Sequence, residues 1–538
     1  MATREKDKGM TQRVVVIGAG MGGLASASLL AKDGYDVVLL EALDHVGGRA
    51  GNWEKDGFRF DTGPSWYLMP EVFDHFYKLM GTSAAEVLDL QRLDPAYRVY
   101  FEPEDGQAAE SVDVMGDRES NLDMFESLEP GSRPAMERYL DSAKETYEIA
   151  KKYFLFTSFQ DLRPLFVGEV LKRVTTLYRL LTTPIWNFAS KHVKSHRARQ
   201  ILGYPAVFLG SSPYLAPAMF HLMSHLDLED GVLYAQGGFN RVMESIKDIA
   251  VDHGVDLRLN SRVTGIETDK SSGKPRVSAV NYHDSDGVVH RVEADLVVSG
   301  ADLHHTETTL LDTAEQTYGE RYWKKRTAGP SAVLLYLGVK GEVPELLHHS
   351  LFFTEDWEGS FGKIFATPPQ IPDPASLYVC KPSVIDPDVA PEGHTNLFVL
   401  VPMPADVSMG KGGMDGEGDP AVEQVADRAI EQIARWSGAK DLAERIVLRR
   451  SVGPADFESH VNAWMGSALG PAHTLTQSAL FRTGNVSKKV DGLYYAGSST
   501  IPGIGLPMCI ISAEVMLKRL RGDTSTTALP EPLVPQHA

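Results

Sequence analysis

The sequence predicts an α/β fold in which one parallel sheet is assembled from separated segments of chain and joined to a mixed α+β domain carrying a helical insert. Three observations predict it. A strand, glycine loop, helix and second strand occupy residues 13–41; a glycine- and proline-rich strand–turn–helix occupies 491–517; and apolar strand-like runs return between them at 255–259 and 296–302. The opening run, 13–17, lacks polar alternation, the mark of a strand buried on both faces.

The first element is Arg13–Ile17, four of whose five residues are apolar and β-branched. It ends in Gly18-Ala19-Gly20-Met21-Gly22-Gly23 and is followed by a helix through Leu24, Leu29 and Leu30 that Gly34 stops. A second strand over 35–40 ends at Glu41. In such a β-α-β unit Gly18 permits the tight turn, Gly20 lets backbone approach a pyrophosphate, and Gly23, with small Ala27 one turn on, seats the helix on the strand. The helix start offers free N–H groups and a positive dipole end to phosphate. Glu41 can accept from both ribose hydroxyls and its charge rejects a 2′-phosphate, so NADP is disfavoured.

Glu41-Ala42-Leu43-Asp44-His45-Val46-Gly47-Gly48-Arg49 comes next. A glycine pair and an arginine directly after the acid resemble the flavoproteins of the amine oxidase and carotenoid desaturase superfamily, which implies FAD. Gly47 and Gly48 then permit close approach, and Arg49 holds the diphosphate electrostatically.

The closing segment contains a short strand at 493–496, an extended turn, and helical spacing over 508–520. Its run Gly497-Ser498-Ser499-Thr500-Ile501-Pro502-Gly503-Ile504-Gly505-Leu506-Pro507 is similar to the C-terminal flavin signature of the bacterial and fungal phytoene desaturase family. With Asp61-Thr62-Gly63-Pro64-Ser65 near the start, the resemblance spans nearly the whole chain. It implies that Gly63, Pro64 and Ser65 belong to the cofactor site and that Gly497 approaches the diphosphate or ribityl chain. The turn from Pro502 through Pro507 to Met508 would lie along the isoalloxazine, with the following helix aimed at the flavin pyrimidine edge. Between the ends, Tyr234-Ala235-Gln236-Gly237-Gly238-Phe239 precedes an amphipathic helix and a strand at 255–259; by resemblance the Val263 backbone meets the adenine. The expectation is a Rossmann-like FAD-binding domain made of 1–105, 231–314 and 486–522.

The segments 106–230 and 315–485 are left for the substrate, and the tail 523–538, rich in Thr and Pro, is expected to be disordered. From Arg163 to Arg199 there are eight Lys or Arg against one acid, Glu169, interleaved with large apolar residues. That pattern fits a helical insert facing an anionic membrane, or a solvated face over a core-facing stripe. The resemblance favours the membrane, because the family's substrates dissolve only in lipid. It implies hydride transfer from an allylic carbon of a long apolar polyene such as phytoene to FAD, loss of a proton from the neighbouring carbon, and reoxidation by oxygen or a quinone.

No residue is singled out as catalytic. His221 with His225, and His304 with His305, are candidate bases for which packing or surface roles are the stronger reading; Asp302 is expected to cap its strand. No metal site is expected: HExxH is missing, and adjacent His348 and His349 should point apart. Nor is there a GxSxG elbow. Residues 410–418 read as a flexible glycine loop. Related readings are a polyene isomerase or saturase, an amine oxidase sharing the glycine pair and arginine, and a flavin-free prenyl-lipid escort protein, against which the intact nucleotide motif argues.

Whole-chain properties agree. The 538 residues suffice for about two to three domain-sized units, and 43% hydrophobic and 23% charged residues describe a folded chain. A formal charge of −19 argues against nucleic acid, whose partners carry basic surfaces. Two cysteines, Cys380 and Cys509, form neither a disulfide framework nor a CxxC pair, so a reducing cytosolic setting with peripheral membrane attachment is expected. Charged residues 1–9 before small, apolar 14–31 imitate a signal peptide, but the glycine positions assign that stretch to the nucleotide fold. No run of about 18 apolar residues predicts a membrane-spanning helix.

Overall fold

The computed structural model describes residues 11–104, 107–271 and 273–537. Residues 1–9, weighed above as part of a signal peptide, lie outside the described residues. The stretch after them forms strand Arg13–Ile17 and helix Met21–Lys32.

The strand Arg13–Ile17 is central in a five-stranded parallel sheet, between Leu296–Ser299 and Asp36–Leu40, with Leu493–Tyr495 and Asp256–Arg258 at the edges. Val15 stands opposite Val297 on one side and Val38 on the other. Val14, Val15 and Val16 are fully buried, each contributing about 1.5–3 kcal/mol relative to exposure. Helix Met21–Lys32 is buried from Met21 to Leu30 because it packs against helices Gly238–Asp252 and Leu506–Arg521. Its two buried serines are satisfied internally: Ser26 Oγ donates to the Gly22 carbonyl and Ser28 Oγ to that of Leu24.

A seven-stranded mixed sheet is the second layer. Its order is Ile446–Val452, Ser331–Lys340, His394–Met403, Leu377–Cys380, His349–Phe353, Tyr97–Phe101 and Ser111–Val114. One face packs beneath helix Pro420–Ser437 through Val333, Leu335, Leu337, Val399 and Ile433. A three-stranded meander, Arg262–Asp269, Arg276–His283 and Val289–Glu293, has its second hairpin turn around residue 284.

The basic, apolar segment becomes short helices, Gly168–Leu171, Val174–Thr182, Ile185–Ala189 and His196–Gly203. Both sides of its pattern have a structural counterpart. Leu180, Ile185 and Phe188 are buried, while Phe166, Val174 and Tyr178 are 67%, 57% and 70% exposed. Among the described residues no helix is long and apolar enough to cross a membrane.

Two expectations are corrected. The tail after Gly522 has no helix or strand yet is docked, with Leu529 and Leu533 buried. The Leu529 amide donates to Glu514, the Leu533 amide to the Leu79 carbonyl, and the His537 amide to that of Asp33. The cause lies in the preceding helix: buried Lys518 needs acceptors and finds them in the carbonyls of Phe156, Ser525 and Thr527. The glycine loop at 410–418 is pinned rather than free. Gly412 donates to Asp456 and Gly413 to Ser451 Oγ, and a Cβ on Gly412 would stand 2.1 Å from the Ser451 carbonyl oxygen.

Candidate active site

A cavity of about 760 Å³ opens beside the C-terminal ends of the parallel strands, where ligands of open α/β sheets sit. Of the predicted site residues, Gly18, Gly20, Gly22, Glu41, Ala42, Gly47, Gly48 and Arg49 line it from the first unit. Gly63, Pro64, Ser65, Val263, Gly497, Pro507 and Met508 line it from elsewhere. Gly23 does not; it stands behind the turn, where a Cβ would lie 1.8 Å from the Gly18 carbonyl oxygen. Gly22 meets the far end of the chain, its Cβ position 2.9 Å from Gly497 Cα.

Glu41 is 6% exposed and held by two backbone donors, Ala19 N at 2.6 Å and Leu43 N at 2.9 Å. Its own backbone accepts from Ser261 N at 2.7 Å, which ties the strand leading to Val263 to the same corner. The glycine pair docks on the first loop: Gly47 N donates to the Ala19 carbonyl at 2.9 Å, and Gly48 adopts φ +57 over Gly20. Arg49 has buried Nε and Nη2 atoms without hydrogen-bond partners, its nearest carboxylate oxygen being Asp302 Oδ2 at 3.9 Å. Orphaned guanidinium donors at a helix start are suited to an anionic group, so the corner fits a dinucleotide diphosphate. Asp302 caps the following helix, accepting from His304 N and His305 N, rather than ending its strand alone.

At the opposite wall, helix Leu506–Arg521 begins at the cavity, with a proline in its first turn where no N–H is needed. The turn before it is held by a residue sequence reasoning missed. Buried Arg482 donates to the carbonyls of Pro471, Gln477 and Ser498, and burial lowers its guanidinium to about 10. Nothing in the local sequence distinguishes it from a surface arginine. His473, also missed, accepts from Ile504 N through Nε2.

Beyond this polar corner the cavity is mainly apolar, walled by Trp66, Tyr204, Phe208, Leu351, Phe361 and Ile364 among others, with Arg450, Asp456 and His460 also on its lining. Ser65 Oγ and Tyr378 OH form one polar contact in that wall, at 2.6 Å. The candidate bases are not assembled there. Neither His221 nor His225 lines the cavity; His221 is fixed by Ser142 and the Ala218 carbonyl, and His225 by Glu229. His304 pairs with Glu320, and of these four only His305 lines the cavity.

The buried histidines make stability depend on pH. Burial lowers His221 to about 4 and His348 to about 3, and holds His349 and His473 well below the usual range. An unfolded chain protonates these groups near 6.5, while the folded one does not, so folding free energy is lost as pH falls below about 6.5. Asp61 and Asp227, which burial raises to about 6 and 7, oppose this by taking protons in the folded state. Four histidines outweigh two aspartates. The urea midpoint is expected to fall between pH 7 and pH 5; an unchanged or higher midpoint would contradict the assignment.

A nucleotide corner continuous with a long apolar pocket defines an FAD-dependent oxidoreductase. Residues 21–514 match the family described as flavin containing amine oxidoreductase. The chain is 40% identical over 501 residues to a carotenoid 3,4-desaturase of Haloarcula japonica, covering 93% of this chain and 96% of that protein. It is 32% identical to a phytoene desaturase of Fusarium fujikuroi, covering 95% and 89%. A putrescine oxidase structure shares the fold, with TM-score 0.60 at 17% identity over 96% of this chain and 99% of that one. The chain thus belongs to the flavin-containing amine oxidoreductase family and, within it, to the carotenoid desaturases.

Proposed function

We propose that the protein desaturates a linear carotenoid, phytoene or a later, partly desaturated polyene, using FAD held in the polar corner. The observation that carries this reading is the continuity of the cavity from Glu41 and Arg49 to an arm walled by Trp66, Phe208 and Phe361. An apolar chain can lie in that arm with its reacting carbons beside the flavin. Bound FAD supplies a hydride acceptor. The chain's own residues bind and orient: Glu41 takes the ribose, Arg49 the diphosphate, the Val263 backbone the adenine, and the Gly497–Met508 turn the ring system, with the helix behind it directing its positive end there. Gly63, Pro64 and Ser65 complete the wall, so the FAD-binding part draws on 1–105, 231–314 and 486–522, less strand Tyr97–Phe101, which joins the seven-stranded sheet. Aromatic and aliphatic walls exclude water and leave polyene conjugation to spread developing charge.

Exposed Phe166, Val174 and Tyr178 on the basic insert support attachment to an anionic membrane surface, from which an insoluble substrate can enter. Oxygen or a membrane quinone would serve the loaded enzyme as electron acceptor. Phe166→Asp with Tyr178→Asp is expected to weaken cosedimentation with anionic vesicles by about a hundredfold or more, two lost apolar anchors being worth about 1.5–3 kcal/mol each. Equal sedimentation would remove the insert from the reading.

The function itself is tested by extracting pigment from hosts that accumulate phytoene or a partly desaturated carotenoid and express this chain. New long-wavelength absorption bands are expected with the intact chain, their positions counting the double bonds added. The 40% identical relative, named for a 3,4-position, makes the later polyene an essential arm. Unchanged spectra in both hosts with flavin-loaded protein present, or products with fewer double bonds, would refute desaturation.

A further inference from the structure

One buried cluster behind the cavity wall has no part in the proposed reaction. His348, His349 and Cys380 are 4%, 0% and 1% exposed, and one ligand atom from each lies within 4.8 Å of the others. Strands His349–Phe353 and Leu377–Cys380 pair antiparallel with His349 directly opposite Cys380. His348 immediately precedes its strand, so it escapes strict alternation. The two rings, expected to point apart, stand with centroids 4.4 Å apart at 79°.

Among the described residues, the buried Nε2 atoms of both histidines have no hydrogen-bond partner. His349 Nδ1 bonds Tyr378 OH at 2.7 Å, and His348 Nδ1 has only Cys380 Sγ at 3.9 Å. That separation is close to the roughly 3.5–3.8 Å spanned by a nitrogen and a sulfur on one metal ion at usual bond lengths.

We propose that His348, His349 and Cys380 bind one soft d10 cation, and that the site selects monovalent copper over zinc. Two imidazoles and a thiolate are soft to borderline donors. The cysteine proton leaves to solvent as the sulfur–metal bond forms, so Cu⁺ with one thiolate is electrically neutral. Zn²⁺ would leave a net positive charge in a dry site, and three ligands fall short of its usual four. The surrounding shell is in place. With Tyr378 OH accepting from His349 Nδ1–H, Nε2 presents its lone pair to the metal, and Tyr378 also contacts Ser65 Oγ at 2.6 Å. Trp66 stacks on His349 with centroids 4.6 Å apart at 16°. Ser65, Trp66 and Tyr378 line the cavity, so the ion clips the two strands together and fixes the wall facing the polyene arm.

The test uses flavin-loaded full-length protein, both isolated from copper-supplemented cells and exposed anaerobically to Cu⁺ buffered by a competing chelator. One copper per chain is expected to resist the chelator and to give a near-ultraviolet thiolate-to-copper absorption band. Tyr378→Phe should weaken copper retention by about tenfold, and Cys380→Ser by more than that with loss of the band, while unchanged FAD content shows that each variant folds. Loss of copper to the chelator in both preparations, or equal retention by wild type and Cys380→Ser, would overturn the site. Stoichiometric zinc that copper does not displace would overturn the choice of cation.

Discussion

Gly23→Ala is expected to produce a chain that neither folds stably nor retains FAD, whereas Gly20→Ala should fold and lose flavin affinity alone. The two glycines are three residues apart in one motif, yet they face different neighbours. A methyl at Gly23 would sit 1.8 Å from the Gly18 carbonyl oxygen and 3.0 Å from its carbonyl carbon. Those atoms cannot retreat, because Gly18 holds the turn at φ +87 and its own Cβ position is already 3.3 Å from Ala301 N. Helix Met21–Lys32 would have to lift from the sheet, opening a core in which Val14 and Val16 are fully buried. Overpacking of this kind costs about 1–3 kcal/mol when side chains can adjust and more when backbone must. A methyl at Gly20 has nothing nearer than the Gly47 carbonyl at 3.9 Å, and the residue's φ of −72 suits any L side chain. It fills instead the space through which backbone would approach the diphosphate. Losing one charge-assisted hydrogen bond, worth about 1.5–3 kcal/mol, weakens FAD by about 10- to 100-fold. Thermal unfolding of the apoprotein and flavin titration separate the two; a Gly23→Ala chain with normal melting temperature and flavin content would refute the packing argument.

The difference between these glycines also marks what was legible in the sequence. The strand, loop, helix and strand at the start could be read because each requirement is local: β-branched runs, glycines at fixed offsets, an acid at the second strand's end. The closing turn and helix were legible for the same reason, and both ends meet at one cavity where Gly22 approaches Gly497. Three features were not. Arg482 acts on a loop 16 residues away through carbonyls, which carry no side-chain signature. The tail reads as disordered by composition, yet the need of buried Lys518 for acceptors docks it. His348 and His349 read as diverging neighbours because alternation holds only within a strand, and His349 is the strand's first residue. In each case the decisive partner lies elsewhere in space or the rule lapses at an element's edge. The apolar arm is a further instance, since its wall draws Trp66, Phe208 and Phe361 from three distant segments.

Glu41→Arg should eliminate flavin binding, and its comparison with Glu41→Gln separates charge from shape. The carboxylate accepts from Ala19 N and Leu43 N in a nearly dry corner, and in the proposed site its remaining lone pairs would accept from the ribose hydroxyls. A guanidinium accepts nothing. Two buried backbone donors would then be orphaned at about 1–3 kcal/mol each, and the glycine turn that Ala19 belongs to would lose its anchor before any nucleotide contact is counted. The Glu41→Gln variant keeps one acceptor oxygen and the shape of the side chain, so it should retain the fold with FAD weakened by about tenfold, one charged hydrogen bond being worth about 1.5 kcal/mol or more. The ordering expected in flavin absorbance per purified chain is wild type above Glu41→Gln, with Glu41→Arg colourless. Because the arginine would sit where a 2′-phosphate is accommodated in NADP-binding relatives of this motif, added NADP is a useful control. It should not restore the fold, since the backbone donors remain unpaired. Full flavin occupancy in Glu41→Arg would place the ribose elsewhere and with it the whole orientation of the cofactor along the cavity.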